Sequence, residues 1–221
     1  MSYDFGRGGV ALLLAAALTA AACGSGDEQR RLRETSRGEY DPATGQLTAI
    51  TYDRNKNGRI DTWTRMEGAR PLSSEIDTDE DGRIDRWEEY GPSGALVRAG
   101  WMRVATTEPP SPDAWLYPGA DGASHRIEFL DLNNAGALTV ARREFYEREQ
   151  LVRVEEDKDG DDLMDQWETW QGGVLRTAEF DDGRDGRPDR RFTYEKGALV
   201  LIESEPDGTG AYTRRVVPGG R

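Results

Sequence analysis

The chain has 221 residues, of which 42 are acidic and 29 basic, so its formal net charge is −13. Its hydrophobic fraction is 36% and its mean hydropathy is −0.79. This composition excludes a bundle of membrane helices, and six tryptophans and eight tyrosines argue against a disordered chain. Because a strongly acidic chain repels phosphate groups, we expect no nucleic-acid partner.

Residues 1–22 predict a signal peptide. The only long apolar run spans Val10 to Ala22, which is shorter than the roughly eighteen residues that a membrane helix needs. Small residues end this run directly before the single cysteine, Cys23, and the pattern resembles a bacterial lipobox. The resemblance implies that Cys23 is lipidated and that the chain is anchored to the cell envelope, at the outer membrane because Gly24 follows. The alternative is an ordinary secretory signal.

A flexible tether is predicted for residues 23–38, since this charged stretch has no apolar periodicity. The remainder, 39–221, repeats. Loops rich in Asp, Asn and Gly begin at residues 53, 77, 157 and 181, weaker copies begin at 131 and 205, and a vestigial copy begins at 105. Such regular spacing predicts an array of about seven units of 24–28 residues. Residues 105–123 contain the run TTEPPSP and predict an insertion, because proline lacks the amide donor that a sheet needs.

The stretch from Asp77 to Glu88, DTDEDGRIDRWE, carries the clearest site pattern. Acids occupy its first, third, fifth and ninth positions, and a glycine occupies the sixth. Alternate carboxylates on a curled loop converge on one hard cation, and the seventh residue can add its backbone carbonyl. Over these twelve residues the loop resembles the calcium loops of EF-hands, dockerins, thrombospondin type 3 repeats and propeller-type calcium sites. The predicted Ca²⁺ ligands are Asp77, Asp79, Asp81, Arg83 (through its carbonyl), Asp85 and Glu88.

Three further loops carry less complete copies of the pattern. Asp162 stands where the 157 loop should have glycine, and Gly183 removes the third oxygen from the 181 loop. None of the loops contains histidine or cysteine, which excludes soft-ligand zinc or copper sites. The predicted ligands are Asp157, Asp159, Asp161, Asp165 and Glu168 in the 157 loop, Asp53, Asn55, Asn57 and Asp61 in the 53 loop, and Asp181, Asp185 and Asp189 in the 181 loop.

The segments between the loops predict β-strands. They are five to seven residues long, rich in Trp, Tyr, Val and Thr, and separated by Gly- and Pro-containing turns. Each unit is therefore loop, strand, hairpin turn, strand. Stacked units give a mainly β fold, an antiparallel hairpin array (a meander) of roughly a dozen strands with calcium loops between the hairpins.

An EF-hand arrangement of helix–loop–helix pairs is the alternative fold. It requires an acid at the twelfth loop position, and only Glu88 and Glu168 supply one, whereas the ninth-position acid is present in all four loops. A closing ligand at position nine suits an exiting strand. Only Thr139 to Glu156 is a plausible helix. Whether Glu88 and Glu168 bind the cation is left open.

Four tryptophans, Trp63, Trp87, Trp115 and Trp167, recur at the period of the array. We expect them to pack on one face of the sheet, because aromatic cross-strand pairs stabilise thin repeats by about 0.2 to 1 kcal/mol. The alternative is a strip that binds sugars or peptides.

Two functions fit these patterns. The first is a calcium-binding, lipid-anchored envelope protein in which calcium stabilises the fold of a structural or adhesion module. The second is an EF-hand-type calcium sensor that engages a partner when calcium binds. The chain is predicted not to be an enzyme, since the single histidine, His125, has no nucleophile motif around it and the glycines have no phosphate-loop context. A protein or glycan partner is not identified by the sequence.

Overall fold

A computed structural model describes residues 34–104 and 109–219. In this part of the chain fifteen β-strands form one antiparallel sheet, and each strand pairs with the next along the chain. The predicted antiparallel meander is confirmed. The strands are β1 (Ser36–Tyr40), β2 (Leu47–Tyr52), β3 (Thr62–Glu67), β4 (Arg70–Ile76), β5 (Arg86–Tyr90), β6 (Leu96–Trp101), β7 (Ala114–Pro118), β8 (Ser124–Leu132), β9 (Leu138–Glu147), β10 (Gln150–Glu156), β11 (Gln166–Gln171), β12 (Val174–Phe180), β13 (Arg190–Glu195), β14 (Ala198–Pro206) and β15 (Tyr212–Val216).

The helical alternative is wrong. The segment that was the best helix candidate, Thr139 to Glu156, forms most of β9 and all of β10, which pair with each other. Its β-branched and aromatic residues pack well on a pleated surface, which outweighs its several helix-forming Arg and Glu residues.

Tight turns close the hairpins at one edge of the sheet. Positive φ angles occur at both turn residues of the β11–β12 hairpin, Gly172 (59°) and Gly173 (75°), and of the β13–β14 hairpin, Lys196 (50°) and Gly197 (80°). Two consecutive left-handed residues form the turn whose twist matches that of paired antiparallel strands. The hairpin edge is therefore fixed by short-range turn chemistry.

The four predicted calcium loops lie together at the opposite edge, because each follows an even-numbered strand. Residues 53–61 connect β2 to β3, residues 77–85 connect β4 to β5, residues 157–165 connect β10 to β11, and residues 181–189 connect β12 to β13. The sheet thus places the loops of consecutive hairpins side by side.

One face of the sheet carries a row of large and charged side chains that runs across the strands. Trp63 is paired with Glu75, Glu75 with Trp87, Trp87 with Gly100 and Gly100 with Trp115. Trp63, Trp87 and Trp115 therefore share one face, as expected, but they occupy alternate strands with Glu75 or Gly100 between them. The same row continues as an alternation of acids with Arg or Trp through Glu128, Arg143, Glu155, Trp167, Glu179, Arg191, Glu203 and Arg215.

The opposite face carries the small core. Its central row includes Ser74, Ala99, Val154 and Ala178, all buried, and Val154 is only 1% exposed. The other two buried apolar residues of the described chain, Ile76 and Ala114, lie on this same face, each two residues from a member of the row. A core of so few residues on one face is what a single layer of strands allows.

Several expectations fall partly or wholly outside the described residues. The signal peptide (1–22), the lipidation site Cys23 and most of the tether lie outside them, while β1 begins at Ser36, within the range assigned to the tether. The insertion predicted at 105–123 contains β7, since Ala114 to Tyr117 follow the last proline of the run and pair with β6 and β8. In the described part of the chain, no helix has the length and apolar character needed to cross a membrane.

Candidate metal sites

The four loops share one backbone conformation. In each, the backbone amide of the sixth residue donates a hydrogen bond to the carboxylate of the first residue. The donor and acceptor pairs are Gly58 to Asp53 (2.8 Å), Gly82 to Asp77 (2.9 Å), Asp162 to Asp157 (2.9 Å) and Gly186 to Asp181 (2.6 Å). This contact draws the loop into a tight curl around its first aspartate.

Left-handed backbone at two positions makes the curl possible. The sixth residue has a positive φ in all four loops, from 72° at Asp162 to 94° at Gly82. The fourth residue does too, including Glu80 (60°) and Arg184 (59°). Glycine adopts this conformation without steric cost, and aspartate tolerates it better than most residues. Asp162 therefore preserves the curl at the position where the other three loops have glycine.

The first aspartate is buried in every loop, with exposed fractions of 8% for Asp53, 6% for Asp77, 7% for Asp157 and 7% for Asp181. Burial of a carboxylate is unfavourable unless hydrogen bonds or a cation compensate for the lost hydration. In the 77 loop and the 181 loop that compensation is incomplete, because Asp77 Oδ1 and Asp181 Oδ1 are buried and accept no hydrogen bond from the described residues.

The 77 loop brings Asp77, Asp79 and Asp85 together. One carboxylate oxygen of each lies within 4.8 Å of the others, so the three could hold a metal ion. Pairs of carboxylates at this distance repel by about 1 to 4 kcal/mol between the limits of bulk water and a protein surface. Asp77, whose Oδ1 is buried and accepts no hydrogen bond from the described residues, belongs to this group. Its donor set of oxygens alone suits a hard cation.

Asp81, the fifth predicted ligand position, lies outside this triad. Its Oδ1 accepts a hydrogen bond from the backbone amide of Arg83 (2.8 Å). The fifth and seventh residues make the same contact in the other loops, from Arg59 to Asn57, Leu163 to Asp161 and Arg187 to Asp185. The fifth side chain therefore shapes the loop in all four copies.

The 157 loop brings Asp157, Asp159 and Asp161 within the same 4.8 Å limit. Asp159 Oδ1 is a buried atom without a hydrogen-bond partner in the described chain. Asp165, the ninth residue, lies outside the triad and accepts a hydrogen bond from the Lys158 amide (2.6 Å). The two best sites thus use different members of the same pattern, positions one, three and nine in one loop and one, three and five in the other.

The 53 loop has amide oxygens where the other loops have carboxylates. Asn55 Oδ1 accepts from the Asn57 amide (3.0 Å), and Asp61 Oδ2 accepts from the Arg54 amide (2.8 Å). Asp53 uses both carboxylate oxygens for backbone amides. Two carboxylates and two amides give this loop the lowest negative charge of the four.

The 181 loop is held closed without a side chain at its third position. The amide of Gly183 donates to Asp189 Oδ2 (2.6 Å), and a Cβ at this residue would lie 3.0 Å from the same oxygen. A side chain at residue 183 would therefore crowd the Asp189 carboxylate. Asp185 accepts from the Arg187 amide, as its counterparts do.

The twelfth-position acids lie on the sheet, outside the triads. Glu88 accepts hydrogen bonds from Arg86 Nη2 (2.8 Å) and from the Tyr90 hydroxyl. Glu168 accepts from Gln166 Nε2 (2.6 Å) and Trp170 Nε1 (2.9 Å). On a strand, residues two apart share a face, so these acids bind their own strand neighbours.

Burial and the Glu88 hydrogen bond raise the pKa of Tyr90 to about 12, in that order of importance. The same two causes, with Glu144 as the partner, raise the pKa of Tyr146.

Three residues at the edge of the sheet that carries the calcium loops were not identified as functional from the sequence. Glu80 and Arg184, the fourth residues of their loops, each contact the preceding calcium loop in the chain through their side chains. Asp113 ends the interrupted loop and binds the amides of Arg103 (2.7 Å) and Val104 (2.9 Å), as a ninth-position acid does. A Pro-Asp pair shared with the 181 loop is the sequence signal for Asp113. Glu80 and Arg184 carry none, because their role depends on which loops the sheet makes neighbours.

Comparison with protein-family models gives no match, and comparison with curated proteins gives none either. Among solved structures, a crystal structure of a GtfA/B complex matches at a TM-score of 0.35 and 16% identity, over 49% of this chain and 20% of that one. A second, of the pneumococcal O-GlcNAc transferase GtfA with UDP and GlcNAc, matches at a TM-score of 0.32 and 14% identity, over 42% and 18%. The chain spans about one fifth of the length of these proteins.

This comparison corrects one sequence-based expectation. The chain was expected not to be an enzyme, and one of the matched structures is a transferase, so that expectation is withdrawn. Likeness at a TM-score below 0.5 carries no argument for a transferase activity in this chain.

Proposed function

We propose that this chain is a calcium-binding repeat protein of the bacterial cell envelope, in which calcium bound along one edge of the sheet stabilises the fold. The protein is anchored by a lipid on Cys23 and serves as a structural or adhesion module. One observation carries the calcium assignment: Asp77 is 6% exposed, its Oδ1 has no hydrogen-bond partner in the described chain, and Asp79 and Asp85 lie beside it.

The choice of calcium follows from the ligand chemistry. The triads contain carboxylate oxygens, and oxygen-only sites favour hard cations. Calcium accepts six to eight oxygens in flexible geometry, waters among them, so a loop that brings three carboxylates together suits it better than magnesium, which requires near-ideal octahedral geometry and gives up its water reluctantly.

A stabilising role follows from where the loops lie. Each one joins two hairpins at the loop edge, and the core between them is small. A cation that neutralises clustered carboxylates removes their mutual repulsion only while the loop is curled, so binding and folding are coupled. Occupied loops would hold consecutive hairpins in register.

Thermal unfolding tests the calcium assignment. The melting temperature should rise by about 10 °C or more from excess chelator to millimolar calcium, since two sites at 100 times their Kd contribute about 5 kcal/mol. Magnesium at the same concentration should give less than half of that rise. Identical melting temperatures in chelator and in calcium would refute the proposal.

Membrane fractionation tests the anchor. The wild-type chain expressed in a diderm bacterium should be found in the outer-membrane fraction, with the mass of a lipid on its N-terminal peptide. Cys23→Ser should release the chain into the soluble fraction while leaving its calcium response unchanged. A wild-type chain that is cleaved but carries no lipid would refute the anchor and leave the calcium proposal standing.

A further inference from the structure

The four loops are arranged as two neighbouring pairs. The 53 and 77 loops follow β2 and β4, and the 157 and 181 loops follow β10 and β12. Between the pairs lie the interrupted loop at 102–113 and the short turn at 133–137. Each pair therefore consists of loops that are separated by a single hairpin.

A backbone hydrogen bond joins the loops of each pair directly. The amide of Asp77, the first residue of the 77 loop, donates to the carbonyl of Asp61, the ninth residue of the 53 loop (2.9 Å). The amide of Asp181 donates in the same way to the carbonyl of Asp165 (2.9 Å). The first ligand of one loop is thus hydrogen-bonded to the last acid of the other.

A side-chain contact joins the same pairs at a second point. The Glu80 carboxylate accepts hydrogen bonds from the side-chain amides of Asn55 and Asn57, one on each of its oxygens. Because Glu80 takes both Nδ2 groups, the Oδ1 atoms of the two asparagines are turned back into their own loop, where each accepts a backbone amide.

The second pair repeats this contact with the opposite charge. Arg184 Nη1 lies 3.1 Å from Asp159 Oδ2, which leaves Asp159 Oδ1 as the buried, unpartnered oxygen. In both pairs the fourth residue of the later loop binds the third residue of the earlier one. The two side chains of each contact are complementary: the Glu80 carboxylate accepts from the Asn55 amide, and the Arg184 guanidinium donates to the Asp159 carboxylate.

We propose that the 53 and 77 loops are a coupled pair of calcium sites, in which Glu80 positions the amide oxygens of Asn55 and Asn57 so that calcium in one loop raises the calcium affinity of the other. This inference rests on the proposed function of the loops. The 77 loop carries the buried and unpartnered Asp77 Oδ1, and its fourth residue is Glu80, so calcium bound there would hold Glu80 against the two asparagines. Glu80 is a positioning residue, since it acts through the two asparagines.

The two loops can be followed separately by NMR. The Gly58 amide donates a hydrogen bond to the Asp53 carboxylate, and the Gly82 amide donates one to the Asp77 carboxylate. Each amide resonance therefore reports the state of one loop. We would titrate calcium into the ¹⁵N-glycine-labelled full chain and record the midpoint of each resonance. Wild type, Glu80→Ala, Glu80→Asp and Asp77→Asn would be compared. Lys56→Gln is the matched control. Lys56 is the fourth residue of the 53 loop, as Glu80 is of the 77 loop, but no calcium loop precedes the 53 loop for its side chain to contact.

The expected result is a rise of about tenfold in the Gly58 midpoint in Glu80→Ala, the size typical for loss of a residue that orients a ligand. Glu80→Asp keeps the charge but shortens the reach, and it should raise the Gly58 midpoint by roughly threefold or more. Asp77→Asn should also raise it, because coupling between two sites is reciprocal. Lys56→Gln should leave the Gly82 midpoint within about twofold.

Three results would overturn the inference. The first is a Gly58 midpoint that is unchanged in Glu80→Ala. Another is a Gly58 midpoint that moves in Glu80→Ala but not in Glu80→Asp, which assigns the effect to charge alone. The third is a Gly58 midpoint that is unchanged in Asp77→Asn. If the proposed function itself were wrong, neither the Gly58 nor the Gly82 amide of the wild-type chain would respond to calcium, and this result is distinct from those that overturn the coupling.

Discussion

Asp77 and Gly82 are joined by a hydrogen bond of 2.9 Å from the glycine amide to Asp77 Oδ2, and the other oxygen of the same carboxylate is buried without a partner. One oxygen therefore shapes the loop and the other is left for a ligand. Because asparagine keeps one oxygen but removes the negative charge, Asp77→Asn separates these two roles.

Asp77→Asn should lower the calcium-induced rise in melting temperature by about half, because one of the two best sites is lost. Differential scanning calorimetry in chelator and in millimolar calcium measures this difference. The matched control is Asp121→Asn, in a turn at the hairpin edge, where Asp121 caps the amides of Ala123 and Ser124. The control should lower both melting temperatures and leave the difference between them intact. Equal differences in both variants would contradict the assignment of Asp77 as a ligand.

Glu88→Ala should destabilise the fold by about 1 to 3 kcal/mol whether or not calcium is present, because it leaves Arg86 and Tyr90 without their buried acceptor. Urea unfolding in chelator and in calcium measures the effect. The adjacent acid gives the control: Glu89 pairs with Arg98 at 2.7 Å but is 43% exposed, so Glu89→Ala should cost less than about 1 kcal/mol. A Glu88→Ala chain that loses its calcium response would show that Glu88 is a ligand.

Gly100→Ala should destabilise the middle of the sheet by about 1 to 3 kcal/mol. A Cβ at this position would lie 2.8 Å from Pro112 Cβ and 2.9 Å from Trp115 Cε3, so the indole ring that covers Gly100 would have to move. Gly208→Ala is the control, since a Cβ there meets no atom within 4 Å. Chemical denaturation of the two variants compares them directly. Equal stability would show that Trp115 does not lie against the backbone of β6.

Stability should fall as the pH rises from about 10 to about 12. The pKa of Tyr90 is raised from 10.0 to about 12 in the folded chain, first by burial and then by the hydrogen bond to Glu88. Within this window the unfolded chain has lost the phenol proton and the folded chain retains it, so the free energy of unfolding decreases. Urea unfolding at several pH values should show a shallower fall for Tyr90→Phe than for the wild type. Tyr40→Phe, at a residue that is 64% exposed, should follow the wild type.

Much of the architecture could be predicted because the repeat unit is local. Loop spacing and the short strand-forming segments between the loops predicted the order of the strands, and positive-φ glycines such as Gly172 and Gly173 close the hairpins where the sequence indicated turns. The constancy of the ninth-position acid correctly favoured exiting strands over helices. The twelfth-position acid Glu88 lies on such an exiting strand, where its carboxylate binds Arg86 and Tyr90 on the same face of the sheet.

The finer geometry of the sites could not be predicted, because it depends on contacts between loops. The pattern places acids at five positions, but it does not reveal that Asp85 joins one triad and Asp161 the other. It also cannot identify Glu80, whose partners are 25 and 23 residues away in the sequence. The strand β7 was missed because three prolines precede it, although Trp115 and its neighbours are good strand formers.

The strictly sequential order of the strands determines how the molecule responds to force. The first and last described strands lie at opposite ends of a ribbon of fifteen strands, about 70 Å apart at the usual spacing between neighbours. In the envelope-anchored state that we propose, tension between the N-terminus and a load near the C-terminus would pull across the strands, so the hydrogen-bonded ladders would open one at a time, from the ends inward. The ribbon would then lengthen in steps, and each loop that held a cation would be a point where the unfolding pauses.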